Sequence, residues 1–556
     1  MQKLNQPFSA IQEPLNEKGK ANINIISKRT SKILISISII LGVFSLFDSN
    51  VKIGSLGLID GMNPCYFFAI GLLIISFFIT IRYNPRHICL ILIHVLCLDI
   101  LFVLVPVVVE GAPRFTYNYV TSSHINFIVQ NGHSDHSLIP YQSWPGIFYL
   151  GSMLDLIGGI SSIEIIFYTP ILFSFLNIPL SYLLYSSLLE DKREVWGCFL
   201  LGFVFFWGAP IYFLPGVLGG ALASYAIVGF IRWRILERRD NPSYGFIILL
   251  FAIGCVISHL LSSITLLITL LFLCVIELLF KKHHSSFTIV LFLFVVIISW
   301  QFYVVGSYSF SILRNFLEGM FNYDVTVSEI HRMGFSGSYE HSQVVLIRIA
   351  TAITLVILGF IGFLKCITRK RFSIKSSIIA ALIAAPTSTV FLTSYSGEIL
   401  SRAFEGSKTS LEMFASKNLV GNIFPWFLLV LLLSFPVISF INAYGNEASD
   451  YVAKSEIYGV TFFSKAAPVN STVHTLQPRI WGFDCQRSIT RDALDVKNFI
   501  LNEKEEKFIL LGERDIDDYK FLRGEVDLRK IHSFVDKNSR VKMYMNDNFT
   551  LFLTGM

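Results

Sequence analysis

The chain has 556 residues, of which 53% are hydrophobic and only 15% charged. Soluble domains carry about 25% charged residues, and a single water-soluble core stops growing at about 250–300 residues. This composition excludes an ordinary soluble enzyme, a disordered chain and a fibre, and it implies a polytopic membrane protein. The 51 Phe and 22 Tyr suit helix packing and a lipid-facing surface better than the alternation of a β-barrel.

The net charge of +6 does not point to nucleic acid. The basic residues sit in short connections between apolar runs, as positive-inside topology requires, and no Lys/Arg tract interleaves with aromatics. Of the eight Cys, only Cys485 lies in a long polar region, so neither a disulfide framework nor a CxxC metal site is expected.

Residues 1–31 form a polar tail with Lys18, Lys20, Lys28 and Arg29. They lack a cleavable signal and read as a cytoplasmic N-terminal tail. Residues 32–442 then form a helical transmembrane domain of 12 or 13 spans. Its first three runs are 33–49, 65–82 and 87–109. The basic turn Arg82–His87 between the second and third is assigned to the cytoplasm, so the third run emerges outside at Glu110.

A long outer loop, 110–163, follows. Its end, Gly146–Ile160, is apolar but short and Gly-rich, and reads as an interfacial helix. Further runs cover 164–189, 195–213, 216–235, 244–258, 260–280, 286–305, 343–366, 375–394 and 423–442. The basic connections Asp191–Arg193, Arg232–Arg239, Lys281–His284 and Arg369–Arg371 are assigned to the cytoplasm.

Twelve spans would leave the C-terminal region inside. Residues 398–418 are polar for a span (Glu398, Arg402, Glu405, Lys408, Glu412 and Lys417), but a polar helix can cross within a bundle with its charges turned inward. Thirteen spans and an outer tail are expected on that reading.

Residues 443–556 hold 33 of the chain's 84 charged residues in roughly a fifth of its length, a domain-scale change of composition. They read as a small soluble α/β domain, extracytoplasmic if 398–418 cross. Ser455–Ser464 has helical amphipathicity, and Phe508–Leu511 reads as a short buried strand. Val541–Leu553 alternates around a turn at Asn546–Asn548. The domain has no P-loop or dinucleotide fingerprint. Two Asn-x-Ser/Thr triplets, starting at Asn470 and Asn548, lie in it.

Four groups could carry chemistry. Glu110, at the outer end of an apolar helix and before Gly111-Ala112-Pro113-Arg114, is a general base, a metal ligand or an ordinary helix-end carboxylate. His133, Asp135 and His136 could ligate a divalent cation or form a polar loop tip; Tyr117, Tyr119, Tyr141 and Trp144 could stack on a sugar or anchor the loop at the interface. His259, in Ser258-His259-Leu260-Leu261-Ser262-Ser263, is an ionisable group at membrane depth or a neutral, hydrogen-bonded core residue. Glu398 and Arg402 share a helix face, as a buried pair or with Arg402 as a phosphate fork.

Three stretches carry a resemblance. The first is Glu110–Phe115, leading through Tyr119 and His124 to Gln142–Phe148. The second is Ser258–Ser263. The third is Tyr395–Arg402, with the last span and Ala443–Glu447. Together with many spans, a large first outer loop and a C-terminal outer domain, they resemble the GT-C superfamily of integral-membrane glycosyltransferases. The likeness is strongest to prokaryotic, especially archaeal, members related to dolichyl-phosphate-sugar and oligosaccharyl transferases.

The resemblance implies a sugar donor on a polyprenyl phosphate and a glycan, lipid or protein acceptor at the outer face. It implies Glu110 as base, with Arg402 and Arg114 toward the phosphate. His259, Glu398, Tyr119 and Trp144 would line the substrate site. No cofactor is required, and a divalent cation (Mg or Mn) is an optional ligand. The family often has two acids in the first loop, whereas here Glu110 stands alone until Asp135. No Trp-Trp-Asp motif is present, so an oligosaccharyltransferase proper is not expected. A transporter or flippase of a lipid-linked or polar solute, and a non-catalytic envelope protein on the same scaffold, are the alternatives.

Overall fold

The computed structural model describes residues 17–51, 56–135, 140–206, 212–236, 242–281, 287–306, 338–368, 373–392, 398–419, 424–445, 451–454 and 456–458, and five strands beyond them. The described residues are mostly helical. In chain order the helices are α1 (Glu17–Phe47), α2 (Pro64–Tyr83), α3 (Ile88–Val103), α4 (Thr116–Asn131), α5 (Gly146–Gly158), α6 (Ser162–Leu188), α7 (Lys192–Val204) and α8 (Pro215–Phe230). Then come α9 (Pro242–Ser258), α10 (Leu260–Lys281), α11 (Phe287–Trp300), α12 (Tyr339–Thr368), α13 (Ile374–Ser388), α14 (Glu398–Ser416) and α15 (Phe424–Tyr444). A π-helical turn, Pro106–Glu110, extends α3, and Ile231–Leu236 extends α8 in the same way.

Eight helical stretches among the described residues are long and apolar enough to cross a membrane: 25–47, 64–83, 88–110, 162–188, 215–236, 260–280, 287–305 and 339–368. Shorter apolar helices cover 146–158, 243–258, 374–388 and 433–444. The twelve apolar runs of the sequence therefore divide by length. The run expected at 195–213 is helical only from Lys192 to Val204 within the described residues. α5 ends on Gly159 at φ 64°, a left-handed stop that suits glycine. Met153, Leu156 and Ile157 of α5 are exposed, as expected of a helix lying at an interface.

Side-chain contacts fix which helix ends share a face. The Trp196 indole N–H donates to the Pro85 carbonyl at 3.1 Å. Lys375 pairs with Glu190 at 3.5 Å, and Lys417 with Glu194 at 3.2 Å. The basic turn after α2, the α6–α7 turn, the start of α13 and the end of α14 thus gather at one end of the bundle. At the other end, the Tyr444 hydroxyl donates to the Phe102 carbonyl at 2.5 Å, and Arg348 Nε donates to the Asn442 carbonyl at 3.1 Å. The end of α15 therefore lies beside the end of α3.

α14 connects the two ends. Its 19 residues span about 28 Å at 1.5 Å per residue, close to the hydrocarbon thickness of a bilayer. It packs against α7, α12 and α13, and its polar groups are answered inside the protein. The Tyr185 hydroxyl donates to Glu412 Oε2 at 2.8 Å, and Lys408 meets Glu412 at 3.5 Å and donates to the Gly202 carbonyl at 3.3 Å. α14 is too charged to register as a span by composition, yet it runs from one end to the other.

Beyond α15 the described strands are β1 (Thr472–Thr475), β2 (Thr490–Ala493), β3 (Lys507–Gly512), β4 (Val541–Asn546) and β5 (Phe549–Thr554). They pair in the order β2-β1-β3-β5-β4. β1 lies parallel to β2 and β3, while β5 lies antiparallel to β3 and β4. The pairing is irregular between Lys542 and Tyr544. Most of the helix expected at Ser455–Ser464 lies outside the described residues.

Candidate functional site

The π-helical turn delivers Glu110 to the end of the third span, and Gly111 turns the chain at φ 66°. Phe115 closes the turn at φ 69°, a strained conformation for a bulky residue that has to be held by its surroundings. Its ring packs on Tyr117 and Tyr212 at 5.3 and 5.0 Å. Asn118 ties the turn down: its amide donates to the Arg114 carbonyl at 2.6 Å, and its oxygen accepts from the Phe213 N–H at 3.0 Å.

Glu110 is 4% exposed and Arg114 1% exposed. Arg114 Nη1 lies 3.5 Å from Glu110 Oε1, and its guanidinium stacks 4.7 Å above the Tyr444 ring. A charge pair with so little water around it is stable only because each partner answers the other. The cation–π contact adds a third answer from the last helix.

Tyr119 faces the same place. It is buried, and its hydroxyl donates to the Pro113 carbonyl at 2.7 Å. Burial first, then the negative charges of Glu456 and Glu110, push its phenol well above the ordinary value. Tyr119 therefore packs beneath the turn.

The segment 451–458 folds back over this turn. Val452 is buried in one cluster with Tyr119, Ile125 and Phe148, and Ile457 packs against it. Glu456 is buried, and its Oε2 accepts from the Ala453 N–H at 3.1 Å. A side chain at Gly111 would meet Lys454, with Nζ at 2.8 Å and Cε at 3.1 Å from the added carbon. The lysine's end thus lies on bare backbone next to Glu110.

A second group is built around His124 and His259. The Asp135 N–H donates to Gln142 Oε1, which leaves the Gln142 amide to donate to His124 Nδ1 at 2.7 Å. His124 is then neutral with its proton on Nε2, an atom with no hydrogen-bond partner among the described residues. Burial lowers its pKa to about 4. Trp144 is buried, and its indole nitrogen also has no partner among the described residues. α5 begins at Gly146 directly against Ser258, which brings Trp144 toward the α9–α10 junction.

There the His259 ring bonds the Ser262 hydroxyl at 2.9 Å, and the positive charge of Arg402 reaches it. Arg402 itself pairs with Glu405 at 3.1 Å and is 44% exposed. The partner expected for Arg402 was Glu398, whose side chain lies outside the described residues.

Of the loop metal group, His133 and Asp135 lie among the described residues. His133 is exposed, and its Nδ1 bonds the Asn131 carbonyl at 3.0 Å. Asp135 contributes its backbone to Gln142, and His136 lies outside the described residues. Among the described residues no three His, Cys, Asp or Glu side chains gather as metal ligands.

Of the residues singled out in the sequence, the structure brings Glu110 together with Arg114, and the charge of Arg402 reaches His259. Sequence reasoning did not tie Lys454 or Glu456 to these groups, and Gln142 entered only within the stretch Gln142–Phe148 of the resemblance. Tyr444 was visible only as part of the resemblance. Lys454 and Glu456 carry no local pattern that ties them to residues more than three hundred positions earlier.

The fold and its apolar helices define a multi-pass helical membrane protein. No known family model matches the chain, and no curated protein sequence matches it. Among solved structures it is similar to an oligosaccharyltransferase of Archaeoglobus fulgidus, crystallised with a tethered acceptor peptide containing the NVT sequon. The TM-score is 0.48 and the identity 13%, over 89% of this chain and 74% of that one.

Proposed function

We propose that the protein is a membrane glycosyltransferase that moves a sugar from a polyprenyl-phosphate donor to an acceptor at the extracytoplasmic face. Glu110 is the general base. It takes the proton of the acceptor hydroxyl as the oxygen attacks the anomeric carbon. The carbon–oxygen bond to the phosphate breaks, and polyprenyl phosphate leaves into the bilayer. Fixed cations stabilise the developing charge. Arg402 and His259 guide the donor headgroup, and Trp144 lines the sugar's path. The N-terminus is cytoplasmic, and residues 443–556 form a small α/β domain on the acceptor side.

One observation carries this reading: a carboxylate kept at the end of a membrane span, nearly excluded from water, by a guanidinium 3.5 Å away. An interfacial carboxylate with no task would sit in headgroup water. The cation expected at the loop, Mg or Mn, finds no three-ligand set among the described residues, and no step here runs through it. A second reading, a non-catalytic envelope protein on the same scaffold, is favoured by the closure of Arg114 and Tyr444 around Glu110.

The test uses purified protein in liposomes with a radiolabelled polyprenyl-phosphate hexose. Release of polyprenyl phosphate is measured for the wild type and for Glu110→Gln. General-base loss is expected to slow release by roughly 10²–10⁴-fold. Release by Glu110→Gln at the wild-type rate would favour the second reading.

A further inference from the structure

We propose that residues 451–454 and 456–458 are part of the Glu110 site and that Lys454 is its phosphate-binding cation. This rests on the donor proposed above and names the group that receives the donor's phosphate.

Among the described residues Arg114, Arg348, Arg402 and Lys454 lie at this end of the bundle, and their surroundings differ; Arg348 is held by the Asn442 carbonyl at 3.1 Å. Arg114 is buried against Glu110 and Tyr444, so its charge is already committed to holding the carboxylate. Arg402 stands by His259 and is paired with Glu405. Lys454 is exposed, and among the described residues it forms no ion pair. Yet its ammonium lies against Gly111, one residue from the proposed base.

The placement is built rather than accidental. Val452 and Ala453, just before Lys454, are buried, as is Glu456 after it. The Glu456 carboxylate folds back onto the Ala453 N–H, and the Glu456 and Ile457 N–H groups donate to the Ala453 carbonyl at 3.0 and 3.2 Å. That single turn is stapled to the Tyr119 cluster through Val452 and Ile457, so Lys454 projects from a fixed support. Gly111, left-handed and without a side chain, leaves the space that the lysine's end occupies. A compact ammonium at the mouth of a carboxylate site suits a phosphate monoester anion. The negative charge of Glu456, felt at Tyr119 alongside that of Glu110, keeps the deeper part of the site unfavourable for the phosphate. The phosphate is thereby held at the rim, and the acceptor hydroxyl is directed to Glu110.

Binding is read by native mass spectrometry of the full-length protein in nanodiscs, separately from transfer. The probes are polyprenyl phosphate, inorganic phosphate and phosphatidylglycerol. The wild type is expected to bind polyprenyl phosphate. Lys454→Gln is expected to bind it roughly tenfold more weakly, and Lys454→Arg to restore most of the affinity. Competition by inorganic phosphate but not by phosphatidylglycerol identifies the monoester headgroup as the ligand; competition by phosphatidylglycerol alone overturns the assignment in favour of general anionic lipid. Wild-type affinity in Lys454→Gln overturns the role of Lys454 and leaves the donor reading intact. Failure of the wild type itself to bind polyprenyl phosphate overturns the donor reading and this inference with it. Lys454 is exposed, so its substitution leaves folding intact.

Discussion

A guanidinium sealed at the end of a membrane helix persists only while its charge is answered, and Arg114 has Glu110 on one side and the Tyr444 ring on the other. Removing one member of such a pair leaves an unanswered buried charge and costs about 3–5 kcal/mol. Arg114→Met is therefore expected to lower the thermal unfolding temperature in detergent sharply. The double variant Glu110→Gln/Arg114→Met is expected to recover most of the loss, and equal destabilisation by both would contradict the pairing. His124 makes a second prediction. Burial holds its folded pKa near 4, below the unfolded value of about 6.5. The folded protein thus binds fewer protons than the unfolded chain, and this residue's contribution is complete above about pH 6.5 and lost as pH falls toward 4. The span corresponds to on the order of 3 kcal/mol. Unfolding followed from pH 7 to 4 should show a decline that His124→Gln reduces; an unchanged pH profile in that variant would remove His124 as its source. Glu110, Arg114, His259 and Arg402 were legible as ionisable groups at span ends. The role of Tyr119 was not, because an aromatic in an outer loop reads the same whether its hydroxyl faces sugar or the Pro113 carbonyl.

At the scale of elements, α14 decides the topology. Its composition resembles that of a surface helix, and only tertiary contacts show that it packs within the bundle. Glu412 finds Tyr185, Lys408 finds the Gly202 carbonyl, and Lys417 finds Glu194. No local pattern encodes these partners, so this packing was not legible in the sequence. The apolar runs were legible because a lipid-facing helix must be apolar along its whole length. The alternation over Val541–Leu553 was legible for the matching reason in a strand, and β4 and β5 pair there. α14 lies so close to α12 that a side-chain carbon at Gly362 would collide with the Phe414 carbonyl. Gly362→Ala should force the two helices apart and destabilise the protein by about 1–3 kcal/mol or more, as overpacking does. Wild-type melting of that variant would mean the contact is looser than described.

For the whole molecule, the ends of α3 and α15, the α9–α10 junction and the start of α14 gather at one end of the bundle, while the turn after α2, the α6–α7 turn, the start of α13 and the end of α14 gather at the other. Sugar transfer at the outer face requires that the end carrying Glu110, Lys454 and Arg402 be a single extracytoplasmic surface. The sidedness of three exposed positions tests that requirement most directly. In a background freed of the native cysteines, Tyr117→Cys, Tyr458→Cys and Glu190→Cys are labelled in intact cells with a membrane-impermeant maleimide. Labelling at positions 117 and 458, with protection at 190 until the membrane is opened, is the predicted result. Labelling at 117 with protection at 458 would place the C-terminal segment on the opposite side from Glu110 and contradict the shared site.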